Sequence, residues 1–211
     1  MFIFNEKTEV NIQFKMLELF RTIKADKLVK ADAGNVIKVV LANVLSPDRT
    51  NMEANETTKE IYVFNIELNS NKVPVKFLDT LNKSINLQTL FKLYYNDKVK
   101  YIISIKEFAE ERMKVLKYFE SDWQNESFEE TPNVLKLENL FKQMISNITT
   151  YLFRDYEDFK QYIDRLNSIE KQKKEIEKMT KAMNAEKQPN LKMKLNDEIR
   201  EKNKELRILE G

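Results

Sequence analysis

The stretch Glu60-Ile-Tyr-Val-Phe-Asn-Ile-Glu-Leu-Asn69 alternates apolar with mixed positions and is rich in β-branched and aromatic residues, so it predicts a strand. After it, Phe77, Leu78, Leu81 and Ile85 fall on one helical face of residues 73–85, with Pro74 suited to the first turn. Residues 89–95 and 99–106 are two further β-rich runs joined by Asn96-Asp97-Lys98, and Asn-Asp tolerates the positive φ of a tight turn. They predict a hairpin, with a short strand at residues 115–119 beyond it. A strand, a helix and a hairpin in that order define an α+β domain built on a small mixed β-sheet with flanking helices.

Outward toward the N-terminus, residues 12–45 read as helices. Phe14, Leu17 and Phe20 form one apolar stripe, and Val36, Ile37, Val40, Leu41 and Val44 form another at spacings of three and four. Pro47 disfavours helical geometry at Ser46 and ends the second helix. In the other direction, Glu120, Asp122, Glu126, Glu129 and Glu130 mark an acidic loop that also holds Trp123.

From residue 134 the pattern is helical through Leu137, Leu140, Phe141, Met144, Ile145, Ile148 and Leu152. Asp155, Glu157 and Asp158 gather where a further helix begins, as the helix macrodipole favours. Phe159, Tyr162, Leu166, Ile169, Ile176, Met179 and Met183 then form a heptad-like seam, and Leu191, Leu195, Ile199, Leu206 and Leu209 form a second one. Pro189 between them costs about 3 kcal/mol inside a continuous helix but is comfortable at a helix start. The expectation is a long C-terminal antiparallel helical hairpin, coiled-coil-like, turning near 186–190. One kinked helix that dimerises in parallel is the alternative. The division is a platform domain over 1–130 and a helical region over 131–211.

Composition narrows the chemistry. The 211 residues include 2 Gly, no His and no Cys. Gly34 and Gly211 are too far apart to build a Walker loop or a dinucleotide fingerprint, both of which need clustered glycines. Without His or Cys there is no Ser-His-Asp or Cys-His nucleophile and no zinc site of the usual ligands. The expectation is a chain without catalytic residues, metal or cofactor, more scaffold than enzyme. The start, Met1-Phe-Ile-Phe-Asn-Glu-Lys-Thr8, lacks the pattern of a secretory signal, and no stretch is apolar enough to span a bilayer. Both point to a cytoplasmic protein without membrane contact.

Net charge is +2 overall, divided as +4 over residues 160–211 and −2 over the preceding part. Neither value approaches that of a dedicated nucleic-acid-binding domain. A metal nuclease needs two carboxylates and a Lys on adjacent strands. Glu67-Leu68-Asn69 carries Asn where that pattern needs Lys, and Lys106-Glu107 has the charges reversed. Near the predicted turn, Lys187, Lys192 and Lys194 could meet phosphates, with Gln188, Asn190 and Asn196 as hydrogen-bonding groups. The competing readings of that tip are a solvated turn and a protein-docking surface. Tyr94, Tyr95 and Tyr101 read as core or cross-strand residues, and otherwise as a stacking platform for bases. Trp123 is an interface residue or a buried anchor for its loop.

Several stretches together resemble one family. Lys7-Thr-Glu-Val-Asn11 is similar to its opening motif, Leu45-Ser46-Pro47 with Thr50-Asn51 to its first loop, and Glu60 through Leu68 to its central strand. Ile103-Ser-Ile-Lys-Glu107 resembles the end of its hairpin, and Tyr118-Phe-Glu-Ser-Asp-Trp123 a Tyr/Phe…Asp-Trp segment. Most specific is Glu186-Lys-Gln-Pro-Asn-Leu-Lys-Met-Lys-Leu-Asn-Asp-Glu-Ile199, which resembles a Glu-Lys-Gln-x-Asn-x-Lys-x-x-Leu-Asn-x-Glu-Ile signature. Pro189 stands where an apolar residue is expected and Leu191 where a basic one is common, which thins the basic character of the turn. The family is a bacterial and archaeal domain of unknown function, encoded beside superfamily-2 helicases and adenine-specific DNA methyltransferases in restriction-like or antiphage loci. The resemblance implies a non-enzymatic accessory or adaptor subunit of a DNA-targeting complex, with a helicase, ATPase or DNA methyltransferase as its protein partner. Nucleic acid would be met mainly through that complex, and self-association would run through the helical tail. A nucleic-acid-binding module and a divergent metal nuclease are the alternatives.

Overall fold

The computed structural model describes residues 2–109, 112–127 and 129–211; Met1, Glu110, Glu111 and Phe128 lie outside the described residues. A short strand, β1 (Phe2–Ile3), and a 3-10 turn (Glu6–Thr8) lead into β2 (Glu9–Phe14). Two short helices, α1 (Met16–Thr22) and α2 (Lys27–Asp32), precede the long strand β3 (Val36–Leu45). One helical turn, α3 (Pro47–Thr50), and a loop reach β4 (Ile61–Leu68), from which α4 (Val75–Lys83) crosses over to β5 (Gln88–Tyr95). β6 (Lys98–Ala109), β7 (Arg112–Glu120), β8 (Gln124–Asn125) and β9 (Glu129–Glu130) follow, then the helices α5 (Leu137–Ser146), α6 (Phe159–Ala185) and α7 (Pro189–Glu210).

The fold is α+β. Its seven-stranded sheet runs β2-β3-β4-β5-β6-β7, with β8 added against β6, and β1 pairs with β9 apart from it. β4 and β5 are parallel, joined by the α4 crossover, while the other neighbours in the sheet are antiparallel. Strand β4, helix α4 and the β5–β6 hairpin stand where the sequence predicts them. Asn96 opens the hairpin turn at φ 51°, a left-handed conformation that Asn adopts more readily than most residues.

Residues 36–45 are a strand and not the second helix that their spacing predicts. The reason is visible in the pairing with β4, whose register shifts between Val36 and Lys38 and again between Leu41 and Asn43. Each shift resets the two-residue alternation, so buried positions drift to spacings of three and four and imitate a helix. Residues 9–14 are likewise a strand, so Phe14 ends β2 and the helical stripe begins only at Met16. Pro47 ends a strand here and occupies the first turn of α3. The helix predicted from residue 134 stops at Ser146 as α5, and Ile148 and Leu152 fall outside it.

The chain divides into two compact units, residues 1–150 and 151–211, with α5 in the first of them. In the first unit α4 turns Phe77, Leu78 and Leu81 onto Phe64, Ile66 and Leu68 of β4 and Phe91 and Leu93 of β5, with α1 and α2 adding Leu19, Ile23 and Val29. Phe20 meets Phe77 edge-on at 6.2 Å, a favourable aromatic geometry. Alternate residues on the other side of the sheet, Ile61, Val63, Leu90, Val99, Ile103 and Ile105, form a second buried set, and α5 buries Leu137, Leu140, Phe141, Met144 and Ile145.

In the second unit α6 and α7 pack together with opposed directions. Arg165 of α6 donates to the carbonyl of Leu209, and further along Gln172 donates to that of Lys202 while Glu175 pairs with Lys202 at 3.2 Å. Asp158 and Gln161 form a reciprocal capping box at the start of α6. The base of the unit is fastened by charge. Arg165 holds Glu157 through two bonds, one of 2.8 Å, with both side chains buried, and Arg154 donates to the carbonyls of Ile208 and Leu209. Guanidinium donors thereby satisfy the orphan carbonyls at the end of α7.

Candidate functional site

The tip of the helix pair holds six of the seven residues that the sequence singles out. α6 ends at Ala185 and α7 begins with Pro189 in its first turn, where the missing N–H costs nothing. Lys187, Gln188, Asn190, Lys192 and Lys194 are exposed and Asn196 is half-buried. The carboxylate of Glu186 accepts from the backbone N–H groups of Lys187 and Gln188 at 2.7 and 2.8 Å, so donors that could meet a phosphate are already taken by an anion. Lys192 and Lys194 are two residues apart on a helix, about 200° around its axis, and do not share a face. Lys192 and Lys194 therefore do not converge.

Below the tip, the helix pair is incompletely covered. No described residue from Glu170 to Glu205 is buried. The seam residues Ile176, Met179, Met183, Leu195 and Ile199 remain half-exposed, while Leu191 and Met193 are 45% and 68% exposed. A groove of about 1200 Å³ runs between Met179 and α7, and its walls carry as many acids (Asp197, Glu198, Glu201, Glu205) as bases (Arg200, Lys202, Lys204, Arg207). A polyanion needs one sign of charge; a mixed surface suits a protein.

Trp123 is not free at the surface. It is half-buried against the core beside the sheet and meets Tyr95 edge-on at 6.3 Å, so it anchors the acidic loop. The nuclease pattern also fails to assemble. Glu67 is exposed at the end of β4 opposite Lys38, Lys106 is turned inward, and no cluster of three metal-ligating side chains occurs among the described residues.

A second region gathers Tyr94, Tyr95, Tyr101 and Glu67, which the sequence reading names separately, with Asn65 and Lys92, which it does not single out. Asn65, Lys92 and Tyr101 are direct partners across β4, β5 and β6, so their side chains stand in a row on one face of the sheet. The row next to it is Lys38, Glu67 and Tyr94. Lys92 is buried, lies 3.8 Å from Glu126 and 5.7 Å over the Phe4 ring. Burial lowers its pKa, and Glu126 acts in the opposite sense. Tyr94 donates to Glu126 at 2.9 Å; burial first, and then that carboxylate, raise its pKa. Burial also raises Tyr101, to about 12. The Tyr101 hydroxyl and the Oδ1 of Asn65 are buried without a hydrogen-bond partner. Beside Asn65 opens a cavity of about 650 Å³, at the carboxyl ends of the two parallel strands. That is where open α/β sheets most often place ligands. The signal that could have found it is a polar residue at every second position, Asn65 and Glu67 on β4 and Lys92 and Tyr94 on β5, within runs apolar enough to be buried.

Lys106 heads a third polar cluster. Its Nζ is enclosed and donates to the carbonyls of Asn82, Ile85 and Leu87 at 2.9, 2.9 and 2.7 Å, closing the end of α4. Asn82 in turn accepts from Thr89 and Ser104 and donates to Tyr118, whose hydroxyl donates to Asp79. Each polar group there has a partner, which marks a structural network.

Among the comparisons with known proteins, residues 27–206 match the profile of a family described as "Domain of unknown function (DUF4391)". No curated protein and no solved structure matches the chain.

Proposed function

This chain belongs to that DUF4391 family, and we propose that it is a non-enzymatic accessory subunit of a cytoplasmic, DNA-targeting antiphage or restriction-like complex, docking on a helicase or methyltransferase partner. The observation that carries the reading is the half-covered α6–α7 seam. Two helices alone cannot bury an apolar stripe on both sides, and a third helix or a partner groove completes the layer. Exposed Leu191 extends that apolar surface toward the tip, and the balanced charges beside it favour a protein over a nucleic acid. In this reading the two helices form a coiled-coil-like antiparallel arm and the sheet unit is its platform.

Co-expression with a helicase and a methyltransferase of the same locus, the partners this reading names, tests the proposal. One of them should co-elute with the chain on size exclusion. A Leu191→Glu variant should weaken the complex by about tenfold or more, because that seam residue is 45% exposed and its neighbours along the seam are only half-covered. Failure of both proteins to co-elute overturns the reading. Binding to DNA that survives this variant and falls steeply with salt replaces it with a nucleic-acid-binding role.

A further inference from the structure

We propose that the cavity at the carboxyl ends of β4 and β5 is a binding site for an unpaired nucleobase, gripped by the carboxamide of Asn65 and flanked by Tyr94 and Tyr95. The argument starts from the unpartnered Oδ1 of Asn65. A buried acceptor without a donor costs about 1–3 kcal/mol, and the residue that carries it is part of the cavity wall. Its neighbours across the sheet do not help it. The side chain of Val40 on β3 offers no donor, and the ammonium of Lys92 on β5 is engaged with Glu126.

The rest of the lining defines the ligand. Asn11, Asn69 and Asn96 add three more carboxamides around the cavity, each a donor and an acceptor in one plane. Glu67 and Lys38 face each other across β4 and β3, so their charges offset locally. Such a lining does not attract a phosphate. It matches a flat, uncharged ring whose edge carries donors and acceptors side by side, the chemistry by which carboxamides read base edges. Tyr94 and Tyr95 supply aromatic surface at the rim. Both are held by other groups, Tyr94 through Glu126 and Tyr95 through Trp123, so little side-chain freedom is lost when a ring enters. Asn11 and Asn96 sit at φ 48° and 51°, which fixes the backbone at two corners of the cavity. At about 650 Å³ the space is within the range of small-molecule sites and exceeds one base, leaving room for its sugar.

The base can come from a free nucleoside or from a single strand, and the experiment separates the two. Amide spectra of the isotope-labelled full chain are recorded with each of the four deoxynucleosides, a nucleoside 5′-monophosphate, glucose, and a five-nucleotide single strand. At least one nucleoside should shift the amides around Lys38, Asn65, Glu67 and Tyr95 saturably. Asn65→Leu should reduce that affinity by about tenfold or more while the rest of the spectrum holds. If Asn65→Leu fails to fold, a Lys38→Ala, Asn69→Ala variant at two exposed positions carries the same test. A single strand that shifts these amides at much lower concentration than its nucleosides identifies a strand as the source, and equal affinities identify the free nucleoside. No saturable shift with any nucleoside at concentrations on the order of 10 mM overturns the proposal. So does an equal response to glucose, or a monophosphate that binds more than about tenfold tighter than its nucleoside.

Discussion

Lys106 shows how a single charged residue can close a helix. One carbonyl in the last turn of α4, that of Asn82, and two in the connection after it, those of Ile85 and Leu87, receive the three protons of one ammonium, a match of donors to acceptors. Lys106→Met leaves those carbonyls in an apolar interior and should cost about 3 kcal/mol, measured by urea unfolding. Burial pushes the lysine down to about 7, while in the unfolded chain it keeps its ordinary value of 10.5. Between these two pH values the unfolded chain binds more protons than the folded one. The stability of the protein relative to Lys106→Met should therefore rise from pH 7 toward 10.5, a sign that the same unfolding series reads directly. Glu157 titrates in the opposite sense. Burial disfavours its charge, yet the Arg165 guanidinium and the Arg154 N–H hold its carboxyl below the usual 4.5. Its contribution is present above that value and is lost as pH falls through the folded, lower one. Glu157→Gln should destabilise the helix pair by about 3–4 kcal/mol at pH 7 and by progressively less in acid.

Among the elements, legibility depended on regular geometry. β4 and α4 carry alternating and helical spacing, and the β5–β6 hairpin carries two β-rich runs around an Asn-Asp turn, so the sequence places them. β3 carries no such regular spacing, because two bulges scramble its alternation, and no reading of spacing recovers a strand whose register changes twice. The candidate cavity was hidden for a related reason. Asn65 and Lys92 lie far apart in sequence and become neighbours only through the parallel pairing that the α4 crossover creates. The start of α6 was legible from its acids, and its cap is Asp158, the last of the three. Asp158→Ala removes one half of the capping box and should cost about 1 kcal/mol, read as a lower melting temperature of the second unit.

In the whole molecule, stability is unevenly spread. The sheet unit has many fully buried side chains, whereas the span from Glu170 to Glu205 has none among the described residues. Amide hydrogen exchange should show β4, β5 and β6 protected to near the global unfolding limit, and the distal halves of α6 and α7 exchanging orders of magnitude faster. Binding of the proposed protein partner should slow exchange there and leave the sheet unchanged. The shortage of glycine agrees with this layout, because long helices avoid it and the tight turns at Asn51 and Asn96 use asparagine in left-handed geometry instead.

The left-handed Asn11 has a bearing on how the protein behaves in a crowded solution. It lies where the pairing of β2 with β3 is interrupted, between Glu9 and Ile12, on a strand at one end of the sheet. A long, flat end strand is a template on which a second chain can crystallise into a fibre; one broken in its middle is not. β7, at the opposite end, carries Lys114 and Lys117 along its length, and repeated positive charge resists the stacking of identical copies. Substituting Asn11 with a β-branched residue, unable to hold that kink without strain, should straighten β2 and leave the chain measurably more prone to aggregate on storage.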